Sequence, residues 1–141
     1  MNIKVINGPN LNLLGKRNIN IYGKETLNEV KEWLQSKTGD ELIIEWFQSN
    51  YEGKIIDEIH NSLNCKGIII NPGAFTHYSY AIRDAIESVD IPTVEVHLSD
   101  IKNREDFRKK SVIKDVCIGQ IFGLGKTGYL NAAKMLIDYK S

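Results

Sequence analysis

The chain has 141 residues, with 18 Lys plus Arg balancing 18 Asp plus Glu and 42% hydrophobic residues. That length reads as one domain spanning 1–141, able to bury roughly 70% of the surface its unfolded chain exposes. Zero net charge argues against a dedicated nucleic-acid binder, and the apolar content argues against disorder.

Five short runs rich in Ile and Val, at 3–6, 42–47, 67–70, 93–96 and 116–122, show little alternation, as strands buried on both faces do. Between the first two, Thr26-Leu27-Asn28-Glu29 spells a capping box, opening a helix with Leu27, Val30, Trp33 and Leu34 on one stripe and Gly39 as its stop. Ile55, Ile56, Ile59 and Leu63 form a second stripe; Ala81, Ile82, Ala85, Ile86 and Val89 a third; Tyr129, Ala132, Ala133, Leu136 and Ile137 the last. A shorter helix is expected after Asn103, with Asn103 as its cap. Strictly alternating strands and helices predict one α/β three-layer sandwich, a five-stranded parallel sheet in the flavodoxin-like order 2-1-3-4-5. The opening residues lack a signal-peptide layout, no apolar run approaches the ~18 residues of a membrane span, and Cys65 and Cys117 lie outside any C-x-x-C pattern. A soluble, reduced, cytoplasmic protein without membrane or nucleic-acid partners is expected.

Ligands of such sheets bind beyond the carboxyl ends of the strands. Four of the five ends are polar: Asn7-Gly8-Pro9-Asn10, Gln48-Ser49-Asn50, Asn71-Pro72-Gly73 with Thr76 and His77 close behind, and His97-Leu98-Ser99 entered through Glu95. Any one of them is an ordinary turn, but four on one rim argue for a polar ligand site. The first loop is not a flavin phosphate loop, and Asn7 and Asn71 stand where a receiver domain needs acids. Gly123-x-Gly125-x-x-Gly128 follows the last strand rather than the first, so these glycines are read as letting the last helix pack closely on the sheet. His60, His77 and His97 lie on three elements without metal-ligand spacing. Arg17 and Tyr22 fall in a polar, mobile loop. Arg104 and Arg108 stand four apart, on one face of the expected short helix or as a solvated pair with Glu105 and Asp106.

The blocks Asn7-Gly8-Pro9-Asn10-Leu11-Asn12-Leu13-Leu14-Gly15 with Arg17 and Tyr22-Gly23, Gln48-Ser49-Asn50-x-Glu52-Gly53, Asn71-Pro72-Gly73-Ala74-x-Thr76-His77, Arg83-Asp84-Ala85, Glu95-Val96-His97-x-Ser99, Arg104-Glu105-x-Phe107-Arg108 and Gly123-Leu124-Gly125-x-x-Gly128-Tyr129 resemble the type II 3-dehydroquinate dehydratases, in order, over residues 2 to 139. The resemblance implies trans elimination of water from 3-dehydroquinate to 3-dehydroshikimate through an enolate, in the shikimate pathway, with no metal and no cofactor. It implies Tyr22 as the base, Arg17 as the cation beside it, His97 as the acid to the departing hydroxyl, Glu95 as the group orienting His97, and Asn10 as holder of a water at the enolate oxygen. A free phenol ionises near about pH 10, so a phenol acting as base calls for such a cation. The resemblance further implies substrate binding by Asn71, His77, Leu98, Ser99, Arg108 and Arg104, and by Asp84 reaching a neighbouring subunit's substrate in dodecamers built from trimers. Asp100, where the family usually has Asn, adds charge near the carboxylate site or turns outward. Tyr78 and Tyr80 fill positions often smaller, and residues 18–21 lack the family's frequent Glu-Pro, which predicts a looser lid. The alternative reading is a non-catalytic nucleotide- or anion-binding module of the same fold, resting on the Gly123 to Gly128 run.

Overall fold

The computed structural model describes residues 1–140. Strands β1 (Asn2–Asn7), β2 (Ile43–Gln48), β3 (Gly67–Asn71), β4 (Thr93–His97) and β5 (Gly119–Phe122) form one parallel sheet in the order β2-β1-β3-β4-β5. The order expected from the sequence is the one observed.

Alternation within the apolar strands splits the core in two. Ile3, Val5, Ile69, Val94 and Val96 face α2 (Leu27–Thr38) and α5 (Thr127–Asp138), packing with Val30, Leu34, Ala132, Ala133 and Leu136. Ile6, Ile68 and Ile70 face α3 (Glu52–His60) and α4 (Tyr80–Val89), packing with Ile55, Ile59, Ile82 and Ile86. Continuous hydrophobic runs are what a sheet covered on both faces requires. Both bonds of the expected capping box form: the Glu29 amide donates to Thr26 Oγ1 at 3.1 Å and the Thr26 amide to Glu29 Oε1 at 3.2 Å. Gly39 ends that helix with φ 73°.

Several expectations need correction. No α-helix forms directly after Asn103: the 3-10 turns Ile101–Asn103 and Asp106–Arg108 stand there instead, with Arg104 extended between them. Asn103 caps neither. Asp100 caps the first by accepting from the Lys102 amide at 3.0 Å, while Asn103 Nδ2 donates back to Asp100 at 2.6 Å. The last strand starts at Gly119 rather than 116, because Lys114–Val116 is a 3-10 turn. Leu63 lies past the end of α3 and is 68% exposed, and Ala81 and Ile137 are exposed too, since these stripes run wider than the buried face. The segment read as a mobile loop contains a helical turn, α1 (Ile19–Tyr22), with Asn18 Oδ1 accepting from the Asn20 amide at 3.2 Å.

The carboxyl ends of β1 and β3 are drawn together where the Gly8 amide donates to the Asn71 carbonyl at 2.7 Å. A Cβ on Gly8 would lie 2.5 Å from the Pro72 carbonyl oxygen, so only glycine fits this crossing. At the other end of the chain, a Cβ on Gly128 would meet Val96 Cγ1 at 3.2 Å, which agrees with the close packing of α5 on the sheet.

Candidate active site

One pocket collects residues from every polar strand end on the rim except that of β2. The loop after β1 brings Asn10. The lid turn and its approach bring Arg17 and Tyr22. The turn after β3 brings Asn71 and His77, the end of β4 brings His97, Leu98 and Ser99, and the 3-10 loop brings Arg104 and Arg108. All of these belong to the set expected from the sequence. Glu95 sits behind His97, fully buried. Asp84 lies on the exposed side of α4 and does not line the pocket of its own chain. His60, exposed at the end of α3, is outside it as well. Among the described residues no group of three or more His, Cys, Asp or Glu is placed to hold a metal ion. No helix among them is long and apolar enough to cross a membrane.

Tyr22 is bracketed by guanidinium groups. Arg104 Nη1 donates to the Tyr22 hydroxyl oxygen at 2.9 Å, and the Arg17 guanidinium lies 3.7 Å from the Tyr22 ring centroid. Arg104 also reaches Ser99 Oγ at 3.4 Å. The four-residue spacing of Arg104 and Arg108 therefore marks no shared helix face. Arg108 pairs with Glu105, as the solvated reading expected, and Lys109 pairs with Asp106, but Arg104 turns inward to Tyr22.

On β4 the face opposite Val94 and Val96 carries Glu95 and His97. His97 Nε2 donates to Glu95 Oε2 at 2.5 Å, which leaves Nδ1 as the ring nitrogen for a group in the pocket. Burial pushes the Glu95 carboxyl upward, but the hydrogen bonds from His97, Thr76 and Ser111 outweigh it and hold the carboxyl below its ordinary value. His77 Nδ1 donates to the Lys110 carbonyl at 2.7 Å. Burial lowers the His77 titration below its ordinary value, against the opposing pull of that carbonyl, and the positive charge of Arg108 adds to the lowering.

The contacts that support these residues were not foreseen. Tyr129, read only as a packing residue, is fully buried: its hydroxyl donates to Asn7 Oδ1 at 2.5 Å and accepts from Asn71 Nδ2 at 3.3 Å, fixing Asn71 from beneath. Asn10 is held in a left-handed conformation (φ 71°), its amide donating to Asn50 Oδ1 at 3.0 Å. The amides of Gly123 and Gly125 donate to the carbonyls of Ser99 (3.0 Å) and Leu98 (3.2 Å). The glycine run thus braces one wall of the pocket. Asp100, used as a cap, is turned away from it.

The sequence profile described as Dehydroquinase class II matches residues 1–137. The chain belongs to the class II dehydroquinase family. A 3-dehydroquinate dehydratase of Caldicellulosiruptor saccharolyticus is 58% identical over 134 residues, 92% of either chain. One of Thermotoga neapolitana is 55% identical over 136 residues, 94% of this chain and 91% of that one. The crystal structure of type II dehydroquinase from Butyrivibrio crossotus superposes with a TM-score of 0.92 at 50% identity, covering 98% of both chains. Within this dehydroquinase fold, the residues that sequence reasoning missed act behind the pocket lining. Ser111 and Gln120 carried no motif, and Thr76 was noted only as a neighbour of His77.

Proposed function

We propose that this class II dehydroquinase is a 3-dehydroquinate dehydratase, a hydro-lyase that removes water from 3-dehydroquinate by trans elimination through an enolate. The observation that carries the reading is the pair of proton-transfer groups lining one pocket: a tyrosine oxygen that accepts from a guanidinium, and an imidazole backed by a buried carboxylate. Tyr22, whose oxygen is held by the Arg104 guanidinium, suits the base that takes the proton next to the ketone. Arg17 over the ring and Arg104 at the oxygen both stand to meet the negative charge of the enolate. His97, oriented through its Nε2–H bond to Glu95, donates its Nδ1 proton to the departing hydroxyl, which leaves as water. Asn10, its amide already engaged by Asn50, offers its side chain to a water at the enolate oxygen.

Binding follows the same logic. With Nδ1–H committed to Lys110, a neutral His77 presents Nε2 as an acceptor, suited to a substrate hydroxyl. Asn71 takes a second hydroxyl, the Leu98–Ser99 amides take the carboxylate, and Arg108 adds a charged contact. Residues 1–141 act as one catalytic domain without metal or cofactor. Asp84, exposed on α4, is assigned to a neighbour's site in a dodecamer of trimers. The free thiols of Cys65 and Cys117 suit the reducing cytoplasm.

The test is direct, because the product is an enone that absorbs in the near ultraviolet. Added 3-dehydroquinate gives a rising absorbance, and Tyr22→Phe lowers kcat about 100-fold or more while still binding substrate. A folded, assembled protein that produces no enone at any pH where it stays folded refutes the reading, and binding of phosphate ligands at the rim without turnover favours the anion-binding module.

A further inference from the structure

Glu95 has more partners than its bond to His97 needs. Its Oε2 accepts from His97 Nε2, from Thr76 Oγ1 at 2.5 Å and from Ser111 Oγ at 2.9 Å; its Oε1 accepts from Ser111 Oγ at 2.8 Å and from Gln120 Nε2 at 3.2 Å. Ser111 is the one residue that spans both oxygens. It lies outside the pocket lining, in the segment between the second 3-10 turn and the stretch leading to β5. That segment is pinned throughout: the Lys110 carbonyl accepts from His77, the Val112 amide donates to the Thr76 carbonyl at 2.8 Å, and the Val112 carbonyl accepts from Arg83 Nη1 at 2.8 Å. The Lys114 amide donates to Ser111 Oγ at 3.1 Å, which aims the hydroxyl proton at the carboxylate.

We propose that Ser111 is a positioning residue for the proton donor: its hydroxyl, shared across both oxygens of Glu95, fixes the carboxylate against His97 Nε2 and keeps the shared proton on His97 rather than on Glu95. Its benefit to turnover rests on the dehydratase reading; the hydrogen-bond geometry does not. A buried carboxylate deprived of a donor is a stronger base. Without Ser111 the Glu95–His97 pair therefore holds its proton to higher pH, and that proton spends more time on Glu95, which leaves a neutral imidazole whose Nδ1–H is a far weaker acid toward the leaving hydroxyl than that of the imidazolium. The other charged or titratable groups around the pair are His77 from the turn after β3, Arg104 and Arg108 from the 3-10 loop, Arg17 and Tyr22 from the lid, and the Cys117 thiol, which burial pushes up to about 12. All are unchanged by a substitution at 111.

The experiment follows the His97 ring by NMR through a pH titration of the intact protein, alongside kcat and KM with 3-dehydroquinate. In Ser111→Ala the titration of the pair moves up by about half a pH unit or more, and kcat falls about 10-fold or more with KM within about twofold. Ser111→Thr keeps a hydroxyl and restores both. A role in folding alone would lower stability without moving the titration. A His97 titration unmoved in folded Ser111→Ala, or moved equally in Ser111→Thr, overturns the proposal. Absence of turnover in the unsubstituted protein would refute the dehydratase reading instead, and the titration would still decide the role of Ser111.

Discussion

Glu95 and His97 bring a carboxylate and an imidazole into the interior of a parallel sheet, a position that normally costs too much for ionisable groups. The cost is offset because every oxygen of Glu95 has donors and because the opposite face of β4, Val94 and Val96, stays wholly apolar. The pair's environment carries a pH signature. Glu95 titrates below its ordinary value when folded, so its contribution to stability is present above about pH 4.3 and is lost as pH falls through the lower folded value. His77 also titrates low when folded, but as a base. From about pH 6.5 downward the unfolded imidazole binds a proton that the folded one refuses, so stability falls with pH there. Urea unfolding at about pH 7.5 and about pH 5.5 separates the two, because the Glu95 carboxyl is ionised throughout that window in both the folded and the unfolded chain. The unsubstituted protein loses more stability between those values than His77→Gln does, and equal losses would remove His77 from the account.

At the scale of elements, the site depends on how closely the loops after β1 and β3 approach. Gly8→Ala would press a methyl into the Pro72 backbone, where neither partner is a flexible side chain. The substitution is expected to cost about 2 to 3 kcal/mol in urea unfolding and to lower kcat, because Asn10 and Asn71 ride on the displaced segments. Unaltered stability and kcat would show that the crossing is not tight. This level also marks where the sequence was readable. Strands covered on both faces announce themselves as unbroken Ile/Val runs, and the Thr26/Glu29 box is a local signal with a local structure. The 101–108 segment misled because Arg104 and Arg108 have helical spacing, whereas Arg104 is extended (φ −109°, ψ −171°). Its inward turn to Tyr22 is a contact across 82 positions that no local pattern encodes. Ser111, Gln120 and Tyr129 were missed for the same reason: each is defined by a partner brought near only by the folded sheet. The lining residues were legible because strand-end position and the family blocks coincide on them.

At the scale of the whole molecule, zero net charge conceals a division of labour. Arg17, Arg104 and Arg108 gather in one pocket with His77 and His97, while acidic side chains such as Asp84 stand on the outside. An arginine-rich pocket suits an anionic substrate, and an exposed Asp84 that lines nothing in its own chain suits a group lent to a neighbour. The assembly reading can be tested by complementation. Tyr22→Phe subunits lack the base but keep Asp84; Asp84→Ala subunits keep the base but lack the lent carboxylate. Each is expected to be impaired as a pure assembly. When the two are co-expressed in equal amounts and form mixed assemblies, a pocket that keeps Tyr22 beside a neighbour that keeps Asp84 is complete, and random mixing makes about a quarter of all sites complete. Enone formation should therefore rise toward about a quarter of the unsubstituted rate, well above either pure variant. If mixed assemblies, verified by differential tags, are no more active than the average of the two pure ones, Asp84 does not complete a neighbour's site and each chain works alone.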